Sequence, residues 1–193
     1  MLCGIDEVGR GPLAGPVLAC AVVLKDPTGQ RLARLNDSKA LAPKRRAALA
    51  KELGQAALRG EAIIGLGAAS VAEIDRLNIL RANDLAMRRA LAKLGQPVAL
   101  ALIDGNRVPP DLPCKAHPIV KGDARSASIA AASIIAKECR DHLMRRLALR
   151  YPAYGWEKNA GYPTATHRRA IALRGLSPHH RRSFRSCQLS RPA

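Results

Sequence analysis

The sequence predicts an α/β fold, with one mixed five-stranded sheet flanked by helices and a small helical C-terminal region. Short apolar runs alternate with longer segments of helical periodicity, which is typical of a sheet covered by helices. The first two runs are joined by a turn too short for a helix, which predicts an antiparallel pair. A later run follows a long helix, which predicts a parallel strand. Residues 1–150 are expected to form the main domain, and residues 151–193 to pack against it as part of the same compact unit.

Boundary residues place each element along the chain. The predicted strands are 2–8, 17–24, 61–67, 97–103 and 116–120, and the predicted helices are 43–58, 70–94, 126–150 and 166–173. Pro43 opens the first helix, and Ser70 with Glu73 forms a capping box at the start of the second. Asn78 predicts an irregularity within that second helix. Pro118 predicts an edge position for the fifth strand, because proline has no N–H to donate.

The charge of the chain favours a polyanionic partner. The formal net charge is +17 and the sequence pI is about 10.7. The surplus is concentrated at the C-terminus, since eight Lys and Arg residues and no Asp or Glu occur from residue 158 onward. Nucleic acid is the partner that such a surface favours. The alternative is a solvated basic surface that only aids solubility.

Cysteine usage and hydropathy indicate the compartment. None of the five cysteines forms a C-x-x-C pair, and most stand in apolar company, as expected of reduced thiols. Cys114 and His117 are too few ligands for a zinc site. No apolar run reaches membrane-spanning length. The expectation is a cytoplasmic protein without a membrane partner.

Three of the apolar runs end at acidic residues beside glycine. Asp6 and Glu7 end the first run, Asp104 ends the fourth, and Asp123 follows the fifth. Residues beyond strand ends converge on one crevice in open α/β sheets. Carboxylates gathered there are tolerable with divalent cations such as Mg²⁺ or Mn²⁺, and two such ions suit hydrolysis of a phosphodiester. The alternative for each aspartate alone is an ordinary turn or cap.

The segment after Glu7 is suited to holding an anion. Gly9 and Gly11 have no Cβ, so their main-chain N–H groups are accessible to a ligand, and Arg10 adds a positive charge. In a strand, neighbouring side chains point to opposite faces, so Asp6 and Glu7 serve one site only if the backbone bends there or if Glu7 reaches around the strand. Lys44, Arg45 and Arg46 stand in the first turn of the first helix, where cations oppose the helix dipole, so this cluster indicates contact with phosphate. The alternative is three solvated side chains on an exposed turn.

Motifs along nearly the whole chain resemble one family. They run in order as Gly4-Ile5-Asp6-Glu7-Val8-Gly9-Arg10-Gly11-Pro12-Leu13-Ala14-Gly15-Pro16-Val17, Asn36-Asp37-Ser38-Lys39, Glu73-Ile74-Asp75, Asn78-Ile79-Leu80, Ile103-Asp104-Gly105-Asn106, Lys121-Gly122-Asp123, Ala131-Ala132-Ser133-Ile134-Ile135-Ala136-Lys137, Arg140-Asp141, Gly161-Tyr162-Pro163-Thr164 and His180-Arg181-Arg182-Ser183-Phe184. The sequence therefore resembles type 2 ribonuclease H, the bacterial ribonuclease HII family. The resemblance implies a ribonuclease H-like fold. It also implies cleavage of the RNA strand of RNA/DNA hybrids and incision 5′ to single ribonucleotides in duplex DNA, leaving 5′-phosphate and 3′-hydroxyl ends.

The resemblance also implies roles for individual residues. The metal-binding and catalytic carboxylates are Asp6, Glu7, Asp104 and Asp123, with Asp141 a further acidic position near the site. Gly9, Arg10 and Gly11 match the segment that reads the ribose 2′-hydroxyl, the group that separates RNA from DNA. Tyr162 matches a tyrosine that stacks on the following deoxyribose. Lys39, Lys44 and Lys121 are expected to contact phosphates. The enzyme is expected to use two Mg²⁺ or Mn²⁺ ions and to act as a monomer.

Some positions depart from the family pattern. Glu138-Cys139 and Asn83-Asp84 replace smaller or apolar residues, and residues 187–193 have no counterpart, so we expect that tail to be disordered or to add an electrostatic contact. Two other functions remain open on the residues alone. One is a basic nucleic-acid-binding protein without catalytic activity, and the other is a nuclease of the same fold that cuts DNA junctions.

Overall fold

A computed structural model of the chain describes residues 1–26 and 42–188. These residues build one five-stranded sheet with the strand order β3-β2-β1-β4-β5. The strands are β1 (Leu2–Val8), β2 (Val17–Leu24), β3 (Ala62–Ala69), β4 (Leu100–Asp104) and β5 (Lys115–Ile119). The first three pair antiparallel, and β4 pairs parallel with both β1 and β5. The predicted mixed sheet is confirmed, and β5 with Pro118 is an edge strand.

Seven helices are described in residues 42–188. They are α1 (Pro43–Leu58), α2 (Val71–Leu77), α3 (Ile79–Ala92), α4 (Ala127–Arg150), α5 (Trp156–Asn159), α6 (Ala165–Arg174) and α7 (Arg185–Gln188). The predicted helix 70–94 is thus wrong as a single element. Asn78 adopts a φ of 68° and separates α2 from α3, while its side chain accepts hydrogen bonds from the first N–H groups of α3. The irregularity expected at Asn78 is therefore a complete break.

Helices cover both faces of the sheet. Cys20, Val22 and Leu24 of β2 pack in an apolar cluster with residues of α1 and α4, whereas α2 and α3 pack on the opposite face. The alanines of α4 allow close contact with β1. A Cβ at Gly4 would lie 2.3 Å from the Ile129 backbone nitrogen, so only glycine permits this approach. The close packing keeps the end of β1 against α4.

The C-terminal elements pack around a third cluster. Trp156, Tyr154, Met144 and Leu13 are buried in it, so it joins the end of α4 to the loop after β1. Cys187 also belongs to this cluster, and its Sγ lies 3.9 Å from the Leu13 carbonyl oxygen. The expected disorder of residues 187–193 is therefore wrong for Cys187 and Gln188, because burial of Cys187 fixes α7. Residues 189–193 lie outside the described part of the chain.

Candidate active site

Asp6 and Asp104 lie at the same end of two neighbouring parallel strands. The register of β1 and β4 pairs Ile5 with Ile103, and each aspartate is the next residue along its strand. Adjacent strands are about 4.8 Å apart, and residues in register point to the same face. Ile5 and Ile103 pack toward α3, so both aspartates face α4. The sequence prediction that these acids meet at one edge of the sheet agrees with this register.

Glu7 and Asp123 lie beside these two aspartates. The Glu7 N–H donates to Asp6 Oδ1 at 2.8 Å, and Glu7 Oε1 accepts from the Arg10 guanidinium at 3.3 Å. Asp123 is buried in the single 3₁₀ turn Gly122–Ala124 that precedes α4. The Gly122 N–H donates to Asp104 Oδ1 at 2.7 Å, which ties this turn to the end of β4.

A groove of about 370 Å³ opens next to Asp6. Its lining includes Asp6, Glu7, Gly9, Arg10, Gly11, Arg46, Ser133, Lys137 and Tyr162. Asp6 and Glu7 therefore line one space although they are neighbours in a strand that stays paired with β2 through Val8. The groove combines carboxylates at one end with main-chain amides and cationic side chains, as a phosphodiester site requires.

The arrangement of the carboxylates bears on whether they could bind a metal ion. Among residues 1–26 and 42–188, no group of three or more His, Cys, Asp and Glu side chains is arranged so that it could hold a metal ion. The Oδ1 atoms of Asp6 and Asp104 instead accept main-chain N–H groups. The donor chemistry does fit Mg²⁺ or Mn²⁺, since carboxylate oxygens on neighbouring strand ends are hard ligands. Closing a site around an ion requires these side chains to turn.

Two fully buried arginines hold the loop between β1 and β2. Arg181 donates to the carbonyl oxygens of Gly9 at 2.5 Å, Arg10 at 2.9 Å and Gly15 at 2.9 Å. Arg140 donates to the carbonyls of Ala14, Pro16 and Ala160 at 2.8–3.1 Å. Burial, together with the nearby Arg140 guanidinium, lowers the pKa of Arg181 to about 9, and burial also lowers the pKa of Arg140. With a pKa of about 9, Arg181 still carries its charge at neutral pH.

Asp141 belongs to an ion-pair network beside the groove. Its Oδ1 accepts from Lys137 Nζ at 2.8 Å, and its Oδ2 lies 3.4 Å from Arg46 Nη2. Arg46 also donates to Glu138 at 2.7 Å. Arg46 and Lys137 line the groove, whereas Asp141 does not appear among its lining residues. Glu138, which departs from the family pattern, thus helps to anchor a cation of α1 against α4.

The other predicted substrate contacts have different outcomes. Tyr162 is 41% exposed and lines the groove, and a Cβ at Gly11 would lie 3.7 Å from Tyr162 Cε1, so the ring lies beside the glycine segment. Lys44 is exposed and does not line the groove, whereas Arg46, two residues further along the helix, does. Lys121 is exposed next to the Gly122 turn. Lys39 lies outside the described residues.

Sequence reasoning gave no role to the buried arginines. Both Arg140 and Arg181 stand within motifs that resemble the family, and Arg181 is also one of the basic C-terminal residues, but neither position indicates burial. The sequence gives little indication that these arginines are buried, because they donate to main-chain carbonyls that come together only when the loop is folded. Arg46 lies in the first turn of α1, where the sequence predicts a contact with phosphate, and its side chain lines the groove.

Known proteins are similar to this chain over nearly its whole length. A family model described as Ribonuclease HII matches residues 3–187. A curated protein named Ribonuclease HII from Rhodospirillum rubrum is 58% identical over 188 residues, which cover 95% of this chain and 83% of that protein. A second, from Gluconobacter oxydans, is 57% identical over 185 residues, which cover 95% of this chain and 87% of that protein.

Solved structures share the fold over the whole chain. A ribonuclease H2 from Pyrococcus horikoshii has a TM-score of 0.78 and 25% identity, covering 98% of this chain and 96% of that one. A complex of PCNA with RNase HII from Archaeoglobus fulgidus gives a TM-score of 0.79 at 25% identity, covering 100% and 98%. Bst-RNase HIII in complex with Mn²⁺ gives 0.77 at 21% identity, covering 98% and 68%, which supports the fold alone. In residues 1–26 and 42–188 no helix is long and apolar enough to cross a membrane.

Proposed function

The chain belongs to the ribonuclease HII family, and on that premise we propose that it cuts duplex DNA on the 5′ side of a single embedded ribonucleotide. It is accordingly an endoribonuclease of the type 2 ribonuclease H class. The proposed substrates are RNA/DNA hybrids and duplex DNA that contains ribonucleotides, and the proposed products carry 5′-phosphate and 3′-hydroxyl ends. We place the activity in the cytoplasm, in a monomer whose cysteines stay reduced.

The observation that carries the proposal is the groove in which two carboxylates meet the glycine segment and Tyr162. Asp6 and Glu7 lie at one end, and Gly9, Arg10 and Gly11 line the same space. A protein that only binds nucleic acid gains nothing from carboxylates facing phosphates, so the acids favour catalysis over simple binding. The main-chain amides beside them favour recognition of a ribose hydroxyl over cleavage of all-DNA junctions.

Each acidic residue at or near the groove has a proposed role. Asp6, Glu7, Asp104 and Asp123 would hold two divalent ions, Mg²⁺ or Mn²⁺. When bound, these ions supply an activated water and stabilise the departing oxygen. The Mn²⁺ complex of Bst-RNase HIII supports this choice of ion. Asp141 would act through Arg46 and Lys137, which it holds at the groove.

The remaining contacts would position the duplex. Arg10 and the neighbouring amides would hold the ribonucleotide, and Tyr162 would stack on the sugar of the next deoxynucleotide. A ring at that place favours a sugar without a 2′-hydroxyl, so it marks the RNA-to-DNA junction. Arg46, Lys137, Lys44, Lys121 and Lys39 would contact phosphates. The basic C-terminal surface would attract the duplex before specific contacts form.

One assay separates the three candidate functions. The protein is incubated with Mg²⁺ or Mn²⁺ and either a DNA duplex with one ribonucleotide or an all-DNA four-way junction. Incision 5′ to the ribonucleotide, with an intact junction, is the expected result. Retained binding with both substrates intact would favour the binding protein, and cutting of the junction would favour the resolvase-like nuclease.

A further inference from the structure

The loop between β1 and β2, which contains Gly9, Arg10 and Gly11, is held by hydrogen bonds from a charged side chain as well as by apolar packing. Arg181 is fully buried, and its three hydrogen bonds go to main-chain carbonyls of Gly9, Arg10 and Gly15. Burying a guanidinium is costly even when hydrogen bonds compensate it. An apolar residue of similar size would avoid that cost but would leave three carbonyl oxygens without a donor. The loop therefore depends on these three hydrogen bonds to keep its carbonyls turned toward Arg181.

Peptide planarity links these bonds to the groove. The described peptide bonds are not cis, and in a trans peptide the C=O and the following N–H point to opposite sides of the plane. The Gly9 carbonyl points at Arg181, so the Arg10 N–H points away from it. The Arg10 carbonyl also points at Arg181, so the Gly11 N–H points away as well. Both amides thus point away from Arg181, and Arg10 and Gly11 are themselves lining residues of the groove.

We propose that Arg181 is a positioning residue that sets ribose recognition by turning the Arg10 and Gly11 amides into the groove. Its charge also polarises both peptide groups, and a peptide whose carbonyl accepts a charged donor becomes a stronger N–H donor. Withdrawing the two carbonyls removes oxygen atoms that would repel phosphate. The planar fork of arginine reaches three carbonyls at once, which the single ammonium of lysine cannot do in the same geometry.

Arg140 offers a matched control within the same loop. It is as fully buried as Arg181 and also donates to three carbonyls, but those belong to Ala14, Pro16 and Ala160. None of these peptides carries the amides of the glycine segment. A loss of loop rigidity alone would appear in variants of either arginine, whereas a loss of amide orientation would appear in variants of Arg181.

The inference rests on the proposed function, and the experiment separates the two. Incision of a single-ribonucleotide duplex is measured together with inhibition by an all-DNA duplex, for the wild type, Arg181→Lys, Arg181→Met and Arg140→Met. For Arg181→Lys and Arg181→Met we expect kcat/KM for incision to fall about tenfold or more, the value of one lost charge-assisted hydrogen bond. The Ki of the all-DNA duplex should change by less than about twofold, since phosphate contacts remain. Arg140→Met should retain a larger share of its incision than Arg181→Met.

Three outcomes contradict specific claims. A wild type that does not incise the ribonucleotide duplex refutes the proposed function. If the wild type incises this duplex but Arg181→Met and Arg140→Met lose incision equally, the positioning role is refuted. If the Arg181 variants do not fold, the ¹⁵N amide resonances of Arg10 and Gly11 in the wild type decide. They should shift on addition of the ribonucleotide duplex and not of the all-DNA duplex, and equal shifts with both would refute the inference.

Discussion

His167 and His180 face each other through their Nε2 atoms, 3.0 Å apart, and both rings are buried. The Ser177 N–H donates to His180 Nδ1 at 2.9 Å, so His180 carries its hydrogen on Nε2 and donates it to His167. His167 Nε2 also accepts from Trp156 Nε1 at 3.1 Å. His167 Nδ1 therefore donates to the Tyr162 carbonyl, 2.9 Å away. One set of neutral tautomers satisfies the whole chain of contacts and fixes the backbone at Tyr162.

Acidification should weaken the fold through this histidine pair. Burial, with a contribution from His167, lowers the pKa of His180 from 6.5 to about 4, and burial also lowers the pKa of His167. Between about pH 6.5 and 4 the unfolded chain binds protons that the folded protein excludes, so the free energy of unfolding falls as the pH falls. Urea unfolding at pH 7, 6 and 5 measures this decrease.

Two variants isolate the contribution of His180. His180→Phe removes one titrating group, so its free energy of unfolding should be lower at pH 7 but should depend less on pH between 7 and 5. Ile171→Val serves as the control, because Ile171 is buried in the same apolar cluster as Trp156 and does not titrate, so its variant should lower the free energy of unfolding without changing the slope. An unaltered slope in His180→Phe would contradict the assignment.

Tyr162→Ala should impair incision at an RNA–DNA junction more than it impairs binding to DNA. Stacking of a ring on a nucleotide contributes about 1–3 kcal/mol, so we expect kcat/KM to fall roughly tenfold or more. Tyr162→Phe keeps the ring beside Gly11 and should retain most of the activity. Steady-state incision, with fluorescence anisotropy for all-DNA binding, measures both effects. Equal losses in the two variants would assign the role to the hydroxyl instead of the ring.

Asp104→Asn should abolish cutting while the protein still folds and binds the duplex. The amide oxygen of asparagine can still accept the Gly122 N–H, so the turn before α4 should persist. The loss of a charged ligand should reduce incision by roughly a thousandfold or more. Calorimetric titration with Mn²⁺ provides a second readout, in which binding should weaken. Asp111→Asn changes an exposed acid and is the control. Incision by Asp104→Asn at the wild-type rate would refute the metal-site assignment.

The parts of the fold that depend on local signals could be predicted from the sequence. The bounds of β1, β2 and α1 were predicted correctly, because Pro43 and the glycine-rich turns mark their ends. The prediction for β3 ended at residue 67, whereas the strand continues to Ala69. Pairing with Val17 in β2 extends it, and this pairing is not visible in local sequence. The fourth strand begins at Leu100, so the apolar residues before it belong to the preceding connection.

The site was predicted less completely than the fold. The acids and glycines could be found because each follows an apolar run, but Lys44 and Arg46 could not be distinguished in that way. Which of them faces the groove depends on the packing of α1 against α4, where Glu138 and Asp141 bind Arg46. One partner of Asp141, Arg46, is likewise 95 residues away in sequence, whereas the other, Lys137, lies one turn away on the same helix.

Arg46→Gln should weaken substrate binding and lower its dependence on salt. A side chain that contacts one phosphate contributes about one unit to the slope of log K against log salt concentration, so that slope should decrease by about one. Arg45→Gln is the matched control, since Arg45 is the preceding residue of α1 and is exposed. Anisotropy titrations at several salt concentrations compare the two. An equal decrease in both variants would indicate only general electrostatic attraction.

Gly9→Ala and Gly11→Ala should differ sharply although they are two residues apart. Gly9 has a φ of +94°, and a Cβ there would lie 2.3 Å from Arg140 Nε, which is fully buried and cannot move aside. We therefore expect Gly9→Ala to lower the free energy of unfolding by about 2 kcal/mol or more. At Gly11 the same Cβ would meet only Tyr162 Cε1, at an ordinary contact distance of 3.7 Å. Gly11→Ala should thus leave thermal stability nearly unchanged. It should reduce incision, because its methyl group occupies the space between the Gly11 amide and Tyr162. A Gly9→Ala protein as stable as the wild type would contradict the close contact between this loop and Arg140.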